Sequence, residues 1–352
     1  MKKLRALILP PCTPWFKNIS MLTGTHPLTE PEMAAAMTAI MDGKVSDADI
    51  AAFLTALAKR DPSADEITGA ARVLRQKAQT IKAPAGAVDC CGTGGDGMNT
   101  FNISTAVALV AAACGVPVAK HGNRASSSKS GAADVLEALG VNPALPPARA
   151  EEALRRFNFA FLMAPQHHHA MKHVAAVRKS LGFRTIFNLL GPLANPAGTK
   201  FQLIGVYDRK FLLPVAEALR RLGTERAWVV HGHDGLDEIT VTGPTHVAAL
   251  ENGAETEKTL FPEDFDLPVS KPEDLKGGDA ARNAAALRQL LDGKSSAYRD
   301  IVLANTAAVL VIHGKVPGLK TGAKTAADAI DGGRALRVLE DYRTFTLQEA
   351  AA

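Results

Sequence analysis

Aromatic residues are scarce, at 5% of a 352-residue chain with two Trp and three Tyr. So few rings leave little material for base-stacking platforms. Charge of one sign is lacking too: the net charge is +4 and no block of Lys and Arg stands out, so a nucleic-acid partner gains no support. No apolar run reaches membrane-spanning length. The four cysteines, Cys12, Cys90, Cys91 and Cys114, form no C-x-x-C pair. That argues against a zinc site and suits a reducing cytosol. No Ser-His-Asp or Cys-His nucleophile constellation emerges either, so the chemistry indicated is positioning and charge stabilisation without a covalent intermediate.

What is present is an ordinary globular composition, 47% hydrophobic and 22% charged, over a length that suits two domains. Residues 1–20 read as a loose extension. Their short apolar run before Pro10 and Pro11 is too brief for a signal peptide, and Met21 is an alternative start. Three helix starts follow: Thr29 with Glu32, Ser46 with Asp49, and Ser63 with Glu66. The first helix stops at Gly43. Ile50, Phe53, Leu54 and Leu57 share one face of the second, and Ile67, Ala70, Val73 and Leu74 one face of the third. These faces must meet each other or a second subunit. After Pro84 short apolar runs alternate with helices, up to strands expected near 239–250. The fold class expected is therefore α/β: a small all-helical N-terminal domain packed on a larger α/β domain with a mostly parallel central sheet and flanking helices. In such sheets ligands sit beyond the carboxyl ends of the strands.

The densest segment lies there. Asp89 to Thr105 reads D-C-C-G-T-G-G-D-G-M-N-T-F-N-I-S-T. Its glycines let a backbone approach a ligand, and Asn102 to Thr105 open a helix whose first N–H groups face the loop. A phosphate-bearing ligand is the expectation. The loop lacks G-K-[ST] and is read as neither a Walker loop nor a dinucleotide turn. Asp96 among the glycines points to a divalent cation or a ribose hydroxyl.

Three further segments join it. Lys120, Arg124 and Lys129 stand beside Ser126, Ser127 and Ser128, a mixture that suits pyrophosphate. Asp237 and Glu238 in D-G-L-D-E are hard-cation ligands on a loop after a buried strand. His167, His168 and His169 are consecutive and share no helix face, so a metal site there is not expected. Arg178, read as lying on the same helix as His168, could clamp a carboxylate. Each segment alone is also what a solvated polar loop would carry. Together they describe a polyanion and its cation.

With C-G-T-G-G-D-G…N-I-S-T, K-H-G-N-R-A-S-S-S-K-S-G-A-A-D, A-P-x-x-H-x-A-M-K, R-T-I-F-N-L-L-G-P-L-A-N-P and D-G-L-D-E in order, the chain resembles the anthranilate phosphoribosyltransferase family from about Thr25 to Tyr342. The resemblance implies transfer of phosphoribosyl from phosphoribosyl pyrophosphate to the anthranilate amine in tryptophan biosynthesis. It also implies Mg²⁺, as two ions per subunit, and a cytoplasmic homodimer. The dimer would form through a helical domain of residues 21–84 plus a segment near 178–198, with residues 85–177 and 199–345 forming the α/β domain. No nucleic acid or membrane partner is implied. Carried over position by position, the donor would meet Gly92, Gly95, Asp96, Thr100, Asn102, Ile103, Ser104, Thr105, Lys120, His121, Gly122, Asn123, Arg124, Ala125, Ser126, Ser127, Ser128 and Ala132. Ala132 stands where many relatives have serine. Anthranilate would meet Gly92, His121, Asn123, His168, Arg178, Gly191 and Pro192. Ser104, Asp237 and Glu238 would hold the metal, and Lys120 and Arg124 would stabilise the transition state. A pyrimidine nucleoside phosphorylase, or a non-catalytic nucleic-acid-binding relative of the same fold, is the alternative.

Overall fold

The computed structural model describes residues 26–125 and 129–348. The extension expected at 1–20, the alternative start Met21, and Ser126, Ser127 and Ser128 lie outside the described residues. The described residues open with α1 (Glu30–Met41), α2 (Asp47–Arg60) and α3 (Ala64–Lys77). Their starts are set locally. Ser63 accepts the Glu66 N–H at 3.3 Å and Glu66 returns to the Ser63 N–H at 2.9 Å, a reciprocal cap. At α1 the pattern is altered: both the N–H and the hydroxyl of Thr29 donate to Glu32.

Next come β1 (Val88–Gly92), α4 (Ile103–Ala113), β2 (Val118–Gly122), α5 (Ala132–Ala138), α6 (Pro147–Phe157), β3 (Phe159–Met163), α7 (Ala164–His167), α8 (Lys172–Leu181) and α9 (Ile186–Leu193). The chain continues through β4 (Phe201–Gly205), α10 (Leu212–Arg221), β5 (Arg226–Gly232), β6 (Thr245–Glu251) and β7 (Ala254–Leu260). It closes with α11 (Ala280–Leu291), α12 (Ala297–His313), α13 (Leu319–Asp331) and α14 (Arg334–Leu347). The sheet order is β3-β2-β1-β4-β5-β6-β7. The first five strands in that order are parallel, and β6 and β7 are antiparallel additions. The architecture is thus a helical N-terminal domain on a larger α/β domain with a mostly parallel sheet.

Two expectations are corrected. The strands near 239–250 begin only at Thr245. Ile239 and Val241 are buried, but the Ile239 N–H goes to the Asn305 side chain at 2.9 Å, not to a ladder. His168 and Arg178 do not share a helix: His168, at φ −118° and ψ 60°, separates α7 from the turn that leads into α8.

Side chains alternate across the sheet with period two. Leu203, Trp228, Val230 and Val247 join the core under α4, α12 and α14. Ile204, Ala227, Val229 and Leu250 join a second core, continuous with Met33, Leu54 and Ile67 of the bundle and with Val177, Leu190 and Leu219. Two arginines of α3 lie at this junction. Arg75 donates to the Leu193 carbonyl at 2.6 Å and the Leu222 carbonyl at 3.1 Å, capping the C-terminal ends of α9 and α10. Burial holds Arg75 down to a pKa of about 10, with Arg72 adding to the shift. The segment after α3 is held at Gln79, whose carbonyl meets His167 Nδ1 at 2.7 Å and whose side chain meets His169 Nε2 at 3.3 Å.

Candidate active site

The strand order reverses at β1, which lies between β2 and β4. That is where open α/β sheets leave a crevice beyond their strand ends. Gly92 and Gly205 are register partners at the ends of β1 and β4. Asp237 crosses directly over both. A methyl group on Gly205 would stand 1.5 Å from the Asp237 carbonyl oxygen, and one on Gly92 would stand 2.1 Å from Asp237 Oδ2. The two glycines are therefore a floor on which the acidic segment lies.

Asp237 Oδ2 accepts the Gly94 N–H at 2.7 Å, which ties the acid to the glycine loop. Burial, then the neighbouring Asp96, pushes its carboxyl up to about 7. Glu238 is pushed well above the usual range by burial and then by Asp237, while Lys120 and the Ser104 N–H pull the other way. Three acids thus converge with too little positive charge between them. Among the described residues no three His, Cys, Asp or Glu side chains form a ready metal cage. That combination fits Mg²⁺, which takes one or two carboxylates and completes its shell with water and substrate phosphates.

Lys120 lies beneath this cluster, 1% exposed. Its Nζ donates to the Cys90 carbonyl at 2.9 Å and to Ser104 Oγ at 3.1 Å. Arg124 turns away to α5, pairing with Asp134 at 3.1 Å and with Glu137. The loop after β2 is organised by Asp134, which takes the Ala125 and Gly131 N–H groups, each at 2.8 Å. Asn123 Oδ1 takes the Arg124 N–H at 2.8 Å. Gly122 ends β2 and faces Ala132 at the start of α5.

Helix α4 opens at Ile103, with Asn102 as its N-cap. Asn102 holds no N–H of its own helix; its side chain instead bridges the Ser130 carbonyl and Asn283. Tyr298 donates to the Asn102 carbonyl at 3.1 Å and stacks on Phe101. Thr100 forms a bridge to Lys276, fixing the far side of the loop. Gly92, Gly94 and Gly97 do stand in G-x-G-x-x-G order, but α4 begins only at Ile103, so no dinucleotide-type helix-opening turn forms.

A second row of residues runs along α9. His121 Nδ1 lies 3.1 Å from the Gly191 carbonyl, so that nitrogen carries the proton and Nε2 the lone pair. The His121 and His168 rings are 5.1 Å apart. Burial is the main cause that lowers His121 to about 3 and His168 to about 4, so both imidazoles are neutral at pH 7. The Nε2 atoms of both are buried without a protein partner among the described residues. Phe187, one turn before Gly191, carries the Arg178 guanidinium at 5.2 Å from its ring centre. No carboxylate pairs with Arg178 among the described residues, and burial lowers its pKa. Gly191 and Pro192 lie on α9 itself, and the Pro192 carbonyl accepts from Gln202 at 3.0 Å.

Several further residues shape the site without touching its acids or its loop N–H groups. Asp89, fully buried, takes the His121 N–H at 3.1 Å and the Asn195 amide at 2.7 Å. Asn305 holds both the N–H and the carbonyl of Ile239, next to Glu238. A lone amide within the apolar run of α12 was its visible signal.

The chain matches two family models: "Glycosyl transferase family, a/b domain" over residues 84–336 and "Glycosyl transferase family, helical bundle domain" over residues 19–78. It is 56% identical over 317 residues to the anthranilate phosphoribosyltransferase of Rhodospirillum rubrum, covering 90% of this chain and 91% of that one. With the Parvibaculum lavamentivorans enzyme of the same name it shares 53% over 325 residues, 92% and 95% of the two chains. The crystal structure of anthranilate phosphoribosyltransferase from Thermus thermophilus superimposes with a TM-score of 0.89 at 43% identity, over 96% of this chain and all of that one. The Saccharomyces cerevisiae enzyme in complex with PRPP and Mg superimposes at 0.86 and 30% identity, over 94% and 97%. The same yeast enzyme with 4-fluoroanthranilate gives 0.85 at 28%, again over 94% and 97%.

Proposed function

The chain belongs to the anthranilate phosphoribosyltransferases, within the glycosyl transferase family of helical-bundle and α/β domains, and from that membership we propose how its residues carry out the transfer. The enzyme moves the phosphoribosyl group of phosphoribosyl pyrophosphate to the amine of anthranilate, releasing pyrophosphate, in tryptophan biosynthesis. The observation that carries the reading is the acidic segment Asp237–Glu238 lying on the Gly92–Gly205 floor beside the glycine loop.

In the transfer, the bond from the ribose anomeric carbon to the pyrophosphate oxygen breaks and a bond to the amine nitrogen forms. The amine of anthranilate is a weak nucleophile, so much of the barrier must fall by easing departure of the leaving group. Mg²⁺ supplies Lewis-acid stabilisation of the pyrophosphate charge. Asp237, Glu238 and Ser104 are the residues proposed to hold it, as two ions per subunit. The loop N–H groups from Gly92 to Thr105 and the segment Lys120 to Ala132 cradle the donor. Lys120 acts from below by holding Ser104 Oγ and offsetting the charge of Glu238. Arg178 takes the anthranilate carboxylate. His168 gives its ring N–H to the Ala194 carbonyl, so the Nε2 lone pairs of both His121 and His168 face the amine and accept hydrogen bonds from it. As the C–N bond forms, one of the two amine protons passes to an imidazole and from there to the released pyrophosphate or water. Neutral imidazoles suit that role, because an imidazolium would offer the amine only donors.

The enzyme is further proposed to be a cytoplasmic homodimer through residues 21–84 and 178–198, with no nucleic-acid or membrane partner. Support comes from the free thiols of Cys90, Cys91 and Cys114 and the mild net charge. No helix among the described residues is long and apolar enough to cross a membrane. The first test follows anthranilate fluorescence in the presence of the protein, phosphoribosyl pyrophosphate and Mg²⁺. Loss that needs all of these together supports the reading; no loss with a correctly folded protein overturns it.

A further inference from the structure

Between the bundle and the α/β domain lies a cavity of about 180 Å³, lined by Asp61, Arg184, Thr185, Ile186, Tyr207 and Lys210 among others. It opens at the N-terminus of α9, whose first turn carries no acid. The Asn188 N–H turns back to the Thr185 carbonyl and the Thr185 N–H to Asn188, while the Ile186 and Phe187 N–H groups precede the first intrahelical bond. Thr185 lines the cavity, is 4% exposed, and its hydroxyl has no hydrogen-bond partner among the described residues, a costly state for a buried polar atom. Arg184 adds a guanidinium with no carboxylate partner among the described residues. It stacks over Tyr207 at 4.5 Å and donates to the Gly95 carbonyl. Lys210 is already committed to Asp61 at 2.9 Å and Asp208 at 3.3 Å, so the cationic end of the cavity is the Arg184–Thr185 end.

We propose that this cavity is a binding site for a compact oxyanion, held by the Thr185 hydroxyl, the first N–H groups of α9 and Arg184. The helix end attracts an anion, the orphaned hydroxyl supplies a neutral donor, and the guanidinium closes the site. Arg184 and Tyr207 also touch the glycine loop, the latter through its N–H to Thr93 Oγ1 at 3.1 Å. An oxyanion that draws Arg184 off the Gly95 carbonyl therefore changes the loop that binds the donor. Only this last coupling rests on the function proposed above.

The test is calorimetric titration of the full-length protein with inorganic phosphate and, separately, with acetate. Both are run with and without saturating phosphoribosyl pyrophosphate and Mg²⁺. Expected is a binding event that survives the donor and is weakened about tenfold or more in Thr185→Val, with Thr185→Ser restoring it. Phosphate alone binding marks a phosphate site; acetate binding as well, or instead, marks a carboxylate site. Binding that is abolished by the donor, unchanged in Thr185→Val, or absent for both anions overturns the proposal. Should Thr185→Val fail to fold, Arg184→Leu replaces it with the same expected loss. A protein without transferase activity that still shows the Thr185-dependent event would refute the function and leave this site standing.

Discussion

At the residue scale the acidic pair and its floor invite direct tests. Asp237→Ala combined with Glu238→Ala is expected to lower kcat by on the order of 10²-fold or more, because transition-state charge stabilisation is lost. Unchanged turnover at saturating Mg²⁺ would sink the assignment. Gly205→Ala is expected to act at a distance from any ligand. Its methyl group collides with the main chain of Asp237, not with a movable side-chain tip. Activity and melting temperature should fall together, and a fully active Gly205→Ala would show that Asp237 need not lie where it does. Arg178→Ala should raise the anthranilate KM and spare the donor KM. The reverse pattern would move Arg178 to the donor. The glycine loop and the acids were legible as letters because each announces its chemistry locally. Asp89 and Asn195 were not, since their roles exist only where β1, β2 and the end of α9 meet.

At the scale of elements, legibility followed how local the cause is. The starts of α2 and α3 depend on a hydroxyl and the N–H three residues on, and both could be read directly. The stretch 239–242 is as apolar as a strand, yet it is folded by side-chain bonds from α12, which no window of sequence contains. The helices from α11 onward carried no expectation. Much of α12 is buried on all sides, so it lacks the stripe that marks a surface helix. The turn after α2 holds one element-level prediction. Asp61 stands at φ 61° and ψ 142°, just before Pro62, where a side chain is strained. Asp61→Gly and Asp61→Ala both lose the ion pair to Lys210, but only the glycine also relieves the backbone. Chemical denaturation should find Asp61→Gly more stable than Asp61→Ala by about 1 kcal/mol. Equal stabilities would show that the turn relaxes without cost.

At the scale of the whole molecule the bundle is held by buried charge as well as by apolar packing. Glu66 is fully buried and bound by Arg60 and by the N–H groups of Leu28 and Ser63. Burial alone would raise its pKa, but these partners hold it below the ordinary value of 4.5. The stabilisation is therefore complete above that value and is lost as pH falls through the lower folded one. Glu66→Gln leaves Arg60 without its charge partner and should cost about 3 kcal/mol near neutral pH. The gap between variant and wild type should narrow as the pH drops below 4.5. Melting curves from neutral to acid pH test this, and a constant gap would mean that the carboxylate charge contributes nothing.

The core shared by Met33, Val177, Leu219 and Leu250 has a consequence for the order in which the protein is made. Synthesis proceeds from the N-terminus at about 5–20 residues per second. The first three helices emerge early, but the partners of their apolar faces follow roughly a hundred residues later, at α8, α9 and α10. For roughly ten seconds the nascent bundle exposes its apolar surface, open over that interval to a chaperone. Stalled chains released at residue 90 should be open to proteases along all three helices, and those released near residue 260 should be protected.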